Sequence, residues 1–263
     1  MVKRLLTSFF GLIVFFAILF FPYNELFVAA VLGITLIAIY EIHNAVCKKK
    51  SLLIVGFLMS ILVCVANITD NLEFGLLILL AVYLMMSVIE FGKTEVKMVY
   101  MLGFATAVYS TFISTVAIIK IEYTVMATLL LFVISWITDA GAYFVGCSIG
   151  KHKLIPNLSP KKTVEGAIGG IIACVAFSVL YVFILDKFGL SIFGGNDYIK
   201  IIVVSLIGSV ISQLGDFASS AIKREFNVKD FGNLLPGHGG VLDRFDSIIF
   251  VAPFVYYILK FLA

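Results

Sequence analysis

Long apolar runs separated by short polar stretches constrain the fold of this chain more than any other feature. A helix needs about 20 apolar residues to cross the roughly 30 Å hydrocarbon core of a bilayer, and its backbone groups must be paired inside that core. The runs cover residues 5–22, 26–46, 52–68, 74–91, 98–119, 124–147, 166–185, 200–220 and 247–262. The sequence therefore predicts an all-α polytopic integral membrane protein with about nine transmembrane helices.

The composition supports the same class. Hydrophobic residues make up 62% of the chain and charged residues 13%, whereas a soluble domain is about half apolar and a quarter charged. The net charge of +3 is spread along the chain, which excludes a nucleic-acid footprint, since that needs a clustered basic face. The four cysteines stand alone, so neither a disulfide framework nor a zinc site is indicated.

The distribution of Lys and Arg predicts the orientation. Cytoplasmic loops hold the excess of these residues, and a cytoplasmic N terminus places 15 of the 19 on the cytoplasmic side. We expect the first apolar run to be retained as a span, because it is longer than a signal-peptide core and no small-residue cleavage site follows it. The predicted division is a five-span region at 1–123 and a catalytic region at 124–263, with cytoplasmic loops at 147–166 and 224–247.

Three carboxylates near these loops are candidate metal ligands. Asp216 lies at the end of the eighth run, and Asp243 and Asp246 are three residues apart, so they share a face if they open a helix. Carboxylates suit Mg²⁺, which takes one or two of them plus phosphate oxygens. The alternative for Asp243 and Asp246 is capping of the ninth helix.

Cations and glycines follow in the same stretch of sequence. Ser220, Lys223 and Arg224 continue the helical face that begins at Asp216, so that face could hold a metal-bridged triphosphate. The alternative for the two cations is anchoring at the membrane surface. Further along, the run 236–240 supplies a flexible backbone with N–H groups for phosphate, and its His238 either binds phosphate, assists proton transfer or caps a turn.

A second polar cluster precedes the seventh run. Asp139 lies within a predicted span, where a charge is a functional candidate by default. The stretch 159–163 contains Lys161, Lys162 and Thr163, and it is either a second phosphate clamp or a basic anchor followed by a helix cap. Glu41 and Glu90 lie near span ends, and we expect them to make interhelical hydrogen bonds.

The stretch from Ser220 to Asp246 resembles the signature of phosphatidate cytidylyltransferases, and a wider resemblance covers about the second half of the chain. This resemblance implies transfer of the cytidylyl group of CTP to phosphatidic acid, giving CDP-diacylglycerol and pyrophosphate. It implies a Mg²⁺ cofactor within a di-metal centre, a homodimer, and a bacterial cytoplasmic membrane with the active site facing the cytoplasm.

Carried onto this sequence, the resemblance and the residue patterns together give a set of expected site residues. The expected metal ligands are Asp216, Asp243 and Asp246, and Lys223 joins them as a catalytic residue. The expected substrate-binding residues are Asp139, Lys161, Lys162, Thr163, Ser220, Arg224, Lys229, Asp230, His238, Gly239, Gly240 and Arg244.

Two other functions compete with this interpretation. A transporter or channel could use the intramembrane residues Asp139 and Asp216 to relay ions, but it predicts charges through the depth of the bilayer, whereas here they gather on one side. Phosphoalcohol transfer from CDP-lipids is the second alternative. It expects several aspartates arranged with Asp-Gly and Ala-Arg pairs, and that arrangement is absent from the sequence.

Overall fold

The computed structural model describes residues 2–192, 197–235 and 239–262. Within these ranges the chain forms nine α-helices and two short β-strands. The helices are α1 (Val2–Leu19), α2 (Asn24–Val46), α3 (Lys50–Ile68), α4 (Leu72–Ile89), α5 (Val96–Glu122), α6 (Val125–Ile149), α7 (Val164–Lys187), α8 (Asp197–Glu225) and α9 (Leu242–Leu262). The strands β1 (Lys153–Ile155) and β2 (Ser159–Thr163) pair antiparallel between α6 and α7.

The predicted all-α membrane fold is confirmed, with this hairpin as an addition that the sequence analysis did not foresee. Seven helices, α2 to α8, are long and apolar enough to cross a membrane. Large apolar side chains point outward from them, including Val88, Phe104 and Ile199, which are 72% to 77% exposed. The membrane crossing of α1 and α9, and the side on which the chain starts, stay predictions.

By packing, the chain divides into two compact units. The first contains Met1–Ile118 and Glu225–Arg244, and the second contains Ile119–Arg224 and Phe245–Ala263. The segment between α8 and α9 therefore packs with the N-terminal helices. These units are defined by packing alone. The division at residue 124 that the sequence suggested concerns function, and it stays a prediction.

Buried polar side chains and small residues hold the first unit together. The Asn67 side chain donates hydrogen bonds to the Thr111 carbonyl (3.1 Å) and the Ser114 hydroxyl (2.8 Å), which joins α3 to α5. Tyr83 and Thr106 join α4 to α5 through a 3.0 Å hydrogen bond. Such interhelical bonds stabilise membrane helices, because lipid supplies no hydrogen-bond partner to an exposed polar group.

The second unit is organised by close approach of α6 and α7. A Cβ atom added at Gly141 would lie 2.6 Å from the Cβ of Ala173. At Gly170, the added Cβ would lie 2.7 Å from the Thr138 carbonyl oxygen. Glycines thus let the two backbones meet, and this contact places the start of α7 beside the polar end of α6.

Candidate active site

Three carboxylates from three helices of the second unit lie close together. Asp139 is on α6, Asp216 on α8 and Asp246 in the second turn of α9. Each of these carboxylates lies within electrostatic reach of the other two. Asp139 accepts a hydrogen bond from the Ser247 hydroxyl at 3.1 Å. A carboxylate inside a membrane helix costs about 2.5–3.5 kcal/mol on insertion scales, which marks this cluster as a functional candidate.

Two lysines of the same unit balance this negative charge. The Lys162 ammonium forms a salt bridge with Asp216 and lies 4.3 Å from the ring centroid of Phe217. The Lys223 ammonium lies 3.8 Å from an oxygen of Asp246. The two lysines are 54 and 23 positions away in the sequence from the carboxylates that they pair with.

A cavity of about 450 Å³ opens beside these groups, within the size range of small-molecule sites. Its polar lining consists of Asp139, Tyr143, Lys153, Lys161, Lys162, Thr163, Gln213 and Asp216. The three lysines of the lining suit a polyanion, because ammonium groups bind phosphate oxygens through charge-assisted hydrogen bonds. The two carboxylates of the lining suit a divalent cation held between protein and phosphate.

The hairpin β1–β2 supplies the lysines of this cavity. The Glu165 carboxylate accepts hydrogen bonds from the backbone N–H groups of Lys151 (3.1 Å) and His152 (3.2 Å), and it lies 2.6 Å from the His152 ring nitrogen Nδ1. Thr163 ends β2 and accepts a 3.1 Å bond from the Gly166 N–H, so it caps α7. The capping alternative is therefore confirmed for Thr163, which also lines the cavity.

In the first unit, Asp243 holds the segment that precedes α9. Its Oδ2 atom accepts hydrogen bonds from the backbone N–H groups of Phe231 (2.8 Å) and Gly240 (3.0 Å). Gly239 has a φ of +86°, and an added Cβ there would lie 3.3 Å from Asp230. Asp243 thus fixes a turn through its side chain, and its role as a metal ligand stays a prediction.

Glu41 of α2 is the second anchor of this segment. It is 3% exposed, and its two carboxylate oxygens accept hydrogen bonds from the Val241 N–H (2.9 Å) and the Leu242 N–H (2.8 Å). These contacts explain why α9 begins at Leu242, whereas the sequence predicted a start near residue 247. Asp243 and Asp246 consequently both lie on the opening turns of a helix, as the sequence allowed.

The other predicted residues lie at the ends of these elements. Ser220 and Arg224 are on the last turns of α8, where Ser220 is half-buried and Arg224 exposed. Lys229, Asp230 and Arg244 are exposed in the first unit. His238 lies outside the described residues. The substrate contacts of all of these residues, and of Gly239 and Gly240, stay predictions.

The carboxylates of the second unit suit Mg²⁺ as part of a coordination shell. Among the described residues, no group of three or more His, Cys, Asp and Glu side chains is placed to hold a metal ion by itself. Mg²⁺ does not need such a cage, because it commonly takes one or two carboxylates together with water and substrate phosphates. Asp216 and Asp246, which lie within electrostatic reach of each other, are suitable ligands of that kind.

Sequence reasoning missed several residues of these arrangements. Lys153 lines the cavity and Ser247 binds Asp139, yet neither stood out in the sequence. Glu41 was expected to make ordinary interhelical hydrogen bonds, although it is a carboxylate within an apolar run, the same signal that singled out Asp139.

Comparison with known proteins decides the family. A model of the cytidylyltransferase family matches residues 2–262 of this chain. The chain belongs to the cytidylyltransferase family. The match includes both of the compact units, so the carboxylate cluster and the segment held by Glu41 and Asp243 both belong to the family region.

The chain is similar in sequence to proteins named phosphatidate cytidylyltransferase. The chain is 49% identical over 127 residues to the phosphatidate cytidylyltransferase of Bacillus subtilis (strain 168). The aligned residues make up 48% of this chain and 45% of that protein. It is 47% identical over 128 residues to the phosphatidate cytidylyltransferase of Staphylococcus haemolyticus (strain JCSC1435), covering 49% of this chain and 46% of that one. The chain thus spans about half the length of the curated relatives it matches.

Proposed function

We propose that this protein transfers the cytidylyl group of CTP to phosphatidic acid, giving CDP-diacylglycerol and pyrophosphate for phospholipid synthesis. The observation that supports this most is the cavity of the second unit, where lysines and carboxylates face one another beside membrane helices. A water-soluble polyanion, a divalent cation and a lipid headgroup could all meet there. Membership of the cytidylyltransferase family and the names of the relatives support the same reaction.

The residues of the cavity have distinct roles in this proposal. Lys153, Lys161 and Lys162 bind the phosphates of CTP and neutralise their charge. Asp216 and Asp246 would hold Mg²⁺, and Asp243 is the further ligand that the sequence predicts. When bound, the metal ion stabilises negative charge that develops on the phosphate oxygens. Lys162 binds Asp216 in the structure, so it would exchange that partner for phosphate when nucleotide and metal enter.

The reaction needs little acid or base catalysis. A phosphate oxygen of phosphatidic acid forms a bond to the α-phosphorus of CTP, and the bond from that phosphorus to the oxygen bridging to the β-phosphate breaks. The electron pair leaves with pyrophosphate. Because the attacking phosphate is already an anion near neutral pH, positioning and charge neutralisation account for most of the catalysis, as in other phosphoryl-type transfers.

The cellular setting is also part of the proposal. The protein is an integral membrane protein by its helices, and we place it as a homodimer in the cytoplasmic membrane of a bacterium, as the relatives are bacterial. The site would face the cytoplasm, where CTP is available. The excess of Lys and Arg in the loops on that side supports this orientation.

A labelling assay tests the reaction. Purified protein in detergent is incubated with phosphatidic acid, CTP labelled at the α-phosphate, and Mg²⁺, and radioactivity is measured in the lipid phase. We expect labelled lipid from the parent and its loss on adding EDTA. Asp216→Asn should reduce labelling by about 100-fold or more, since it removes a charge at the reacting phosphates. The matched control is Asp70→Asn, the same change in an exposed turn.

The outcomes separate the parts of the proposal. No labelled lipid from a folded parent with any phosphatidic acid would refute the assigned substrates. Labelling that resists EDTA would refute the metal requirement. Equal labelling by the parent and an Asp243→Asn variant would show that Asp243 takes no part in the reaction. Its role would then be structural, through the hydrogen bonds that it accepts from Phe231 and Gly240.

A further inference from the structure

Glu41 is a buried carboxylate on a largely apolar helix. It lies on α2, one of the candidate membrane helices, and only 3% of the residue is exposed. Charged groups in such surroundings are retained where they bind a partner or serve a function. The partners of Glu41 are specific, and they lie at the other end of the sequence.

Both carboxylate oxygens of Glu41 bind the start of α9. They accept the N–H groups of Val241 at 2.9 Å and Leu242 at 2.8 Å, from residues 200 and 201 positions away. The first N–H groups of a helix have no acceptor within the helix, and a nearby Ser, Thr, Asp or Asn side chain usually supplies one. The residue before α9 is Val241, whose side chain cannot do this. Glu41 therefore replaces a local cap.

Two glycines allow the carboxylate to approach. A Cβ atom at Gly232 would lie 2.5 Å from one oxygen of Glu41, and a Cβ atom at Gly240 would lie 2.5 Å from the other. Both distances are too short for a real contact, so a side chain at either position would displace the carboxylate. These two glycines are thus explained by the space that Glu41 occupies.

The same turn is held from its other side by Asp243. The Gly240 N–H donates to Asp243, while the next two N–H groups donate to Glu41. The three consecutive amides of 240–242 are thereby fixed by two carboxylates. We infer that Glu41 is a positioning residue for cytidylyl transfer, which holds the opening turn of α9 so that Asp243, a predicted metal ligand on that turn, is correctly placed. This inference rests on the proposed function.

Kinetics of a conservative variant test the inference. In Glu41→Gln the side chain keeps its shape, but its amide nitrogen cannot accept a hydrogen bond, so one N–H of the turn loses its acceptor. We expect kcat to fall by about 10- to 100-fold, as for a displacement of catalytic groups by up to about 1 Å. The KM for CTP should change by less than about threefold, because the lysines of the cavity are untouched.

Glu90→Gln is the matched control. Glu90 is also a carboxylate at the end of a helix in the first unit, its side chain is 7% exposed, and it binds Lys49 and Ser51. It makes none of the hydrogen bonds of the 225–244 segment that the structure describes. A loss of kcat confined to the Glu41 variant therefore reports on the turn, and not on the removal of a buried charge in general.

A double-mutant cycle gives an independent readout. Gly232→Ala should lower kcat in the parent, because its Cβ displaces the Glu41 carboxylate. In a Glu41→Ala background that displacement no longer occurs, so the same substitution should have little further effect. An equal effect of Gly232→Ala in both backgrounds, or an unchanged kcat in Glu41→Gln, would overturn the inference.

Hydrogen exchange separates this inference from the proposed function. Amide exchange of the peptide that contains Val241 and Leu242 is measured by mass spectrometry on the full chain in detergent, without substrate. We expect exchange there to be at least about 10-fold faster in Glu41→Gln and unchanged in Glu90→Gln. If exchange is faster but the protein labels no lipid, Glu41 holds the turn and the proposed cytidylyl transfer is refuted. Unchanged exchange would refute the role of Glu41 itself.

Discussion

Replacement of Gly170 by alanine tests whether the contact between α6 and α7 is as close as the structure shows. The new Cβ would lie 2.7 Å from the Thr138 carbonyl oxygen and 3.1 Å from the Cβ of Ala142. An ordinary van der Waals contact begins at 3.4 Å. The new Cβ would lie about 0.7 Å closer than this to the carbonyl oxygen, so the helices must separate by about that distance. Neither contact atom is the end of a flexible side chain, so neither can rotate away.

The expected loss of stability follows from this displacement. Overpacking of a close contact costs about 1–3 kcal/mol, while alanine gains about 0.5–1 kcal/mol over glycine in a helix interior. Gly33→Ala on α2 measures the gain alone, since nothing lies within 4 Å of its added Cβ. The difference in unfolding free energy between the two variants should therefore be about 1–3 kcal/mol.

Denaturant unfolding in detergent, followed by circular dichroism, measures that difference. The labelling assay should show a parallel loss of activity. Asp139 is on α6, and Lys162 is on β2, which ends directly before α7, so a separation of α6 from α7 moves the two groups apart. A Gly170→Ala variant as stable as Gly33→Ala would refute the close packing of α6 against α7, and with it the reason given for the position of the start of α7.

Two further predictions concern single side chains. Thr163→Ala should lower the unfolding free energy by about 1 kcal/mol through loss of the cap on Gly166, and Thr163→Ser should retain it; equal stability of all three proteins in denaturant would contradict the cap. The hydrogen bond from Lys49 lowers the pKa of Glu90 below its ordinary value of 4.5. A group with a lowered pKa stabilises the fold above its unfolded pKa and loses that effect as the pH falls through its folded pKa. Glu90→Gln should therefore melt earlier than the parent at pH 7, and the gap should close as the pH falls below 4.5; a gap that is constant with pH would be contrary to this account.

The sequence predicted most of the secondary structure because a membrane helix is specified locally. Length and apolarity alone identified nine helices whose starts lie within five residues of those in the described structure. It also singled out Asp139, Lys162, Asp216, Lys223 and Asp246, since charges are rare in such a chain and therefore conspicuous; their role in a common site stays a prediction. The sequence did not predict the hairpin β1–β2, because its eleven residues, 153–163, are too few for a periodic pattern.

Only the tertiary structure decided which charged groups meet. Lys162 pairs with Asp216 across 54 positions, and Glu41 caps α9 across 200. Local patterns cannot specify such pairs, because each depends on how helices pack and on glycines that let them approach. The sequence by itself therefore determined a helical membrane protein with a few conspicuous charged residues, whereas packing determined which of those residues lie together. The early start of α9 shows the reason, since the acceptor of its first N–H groups belongs to a distant helix.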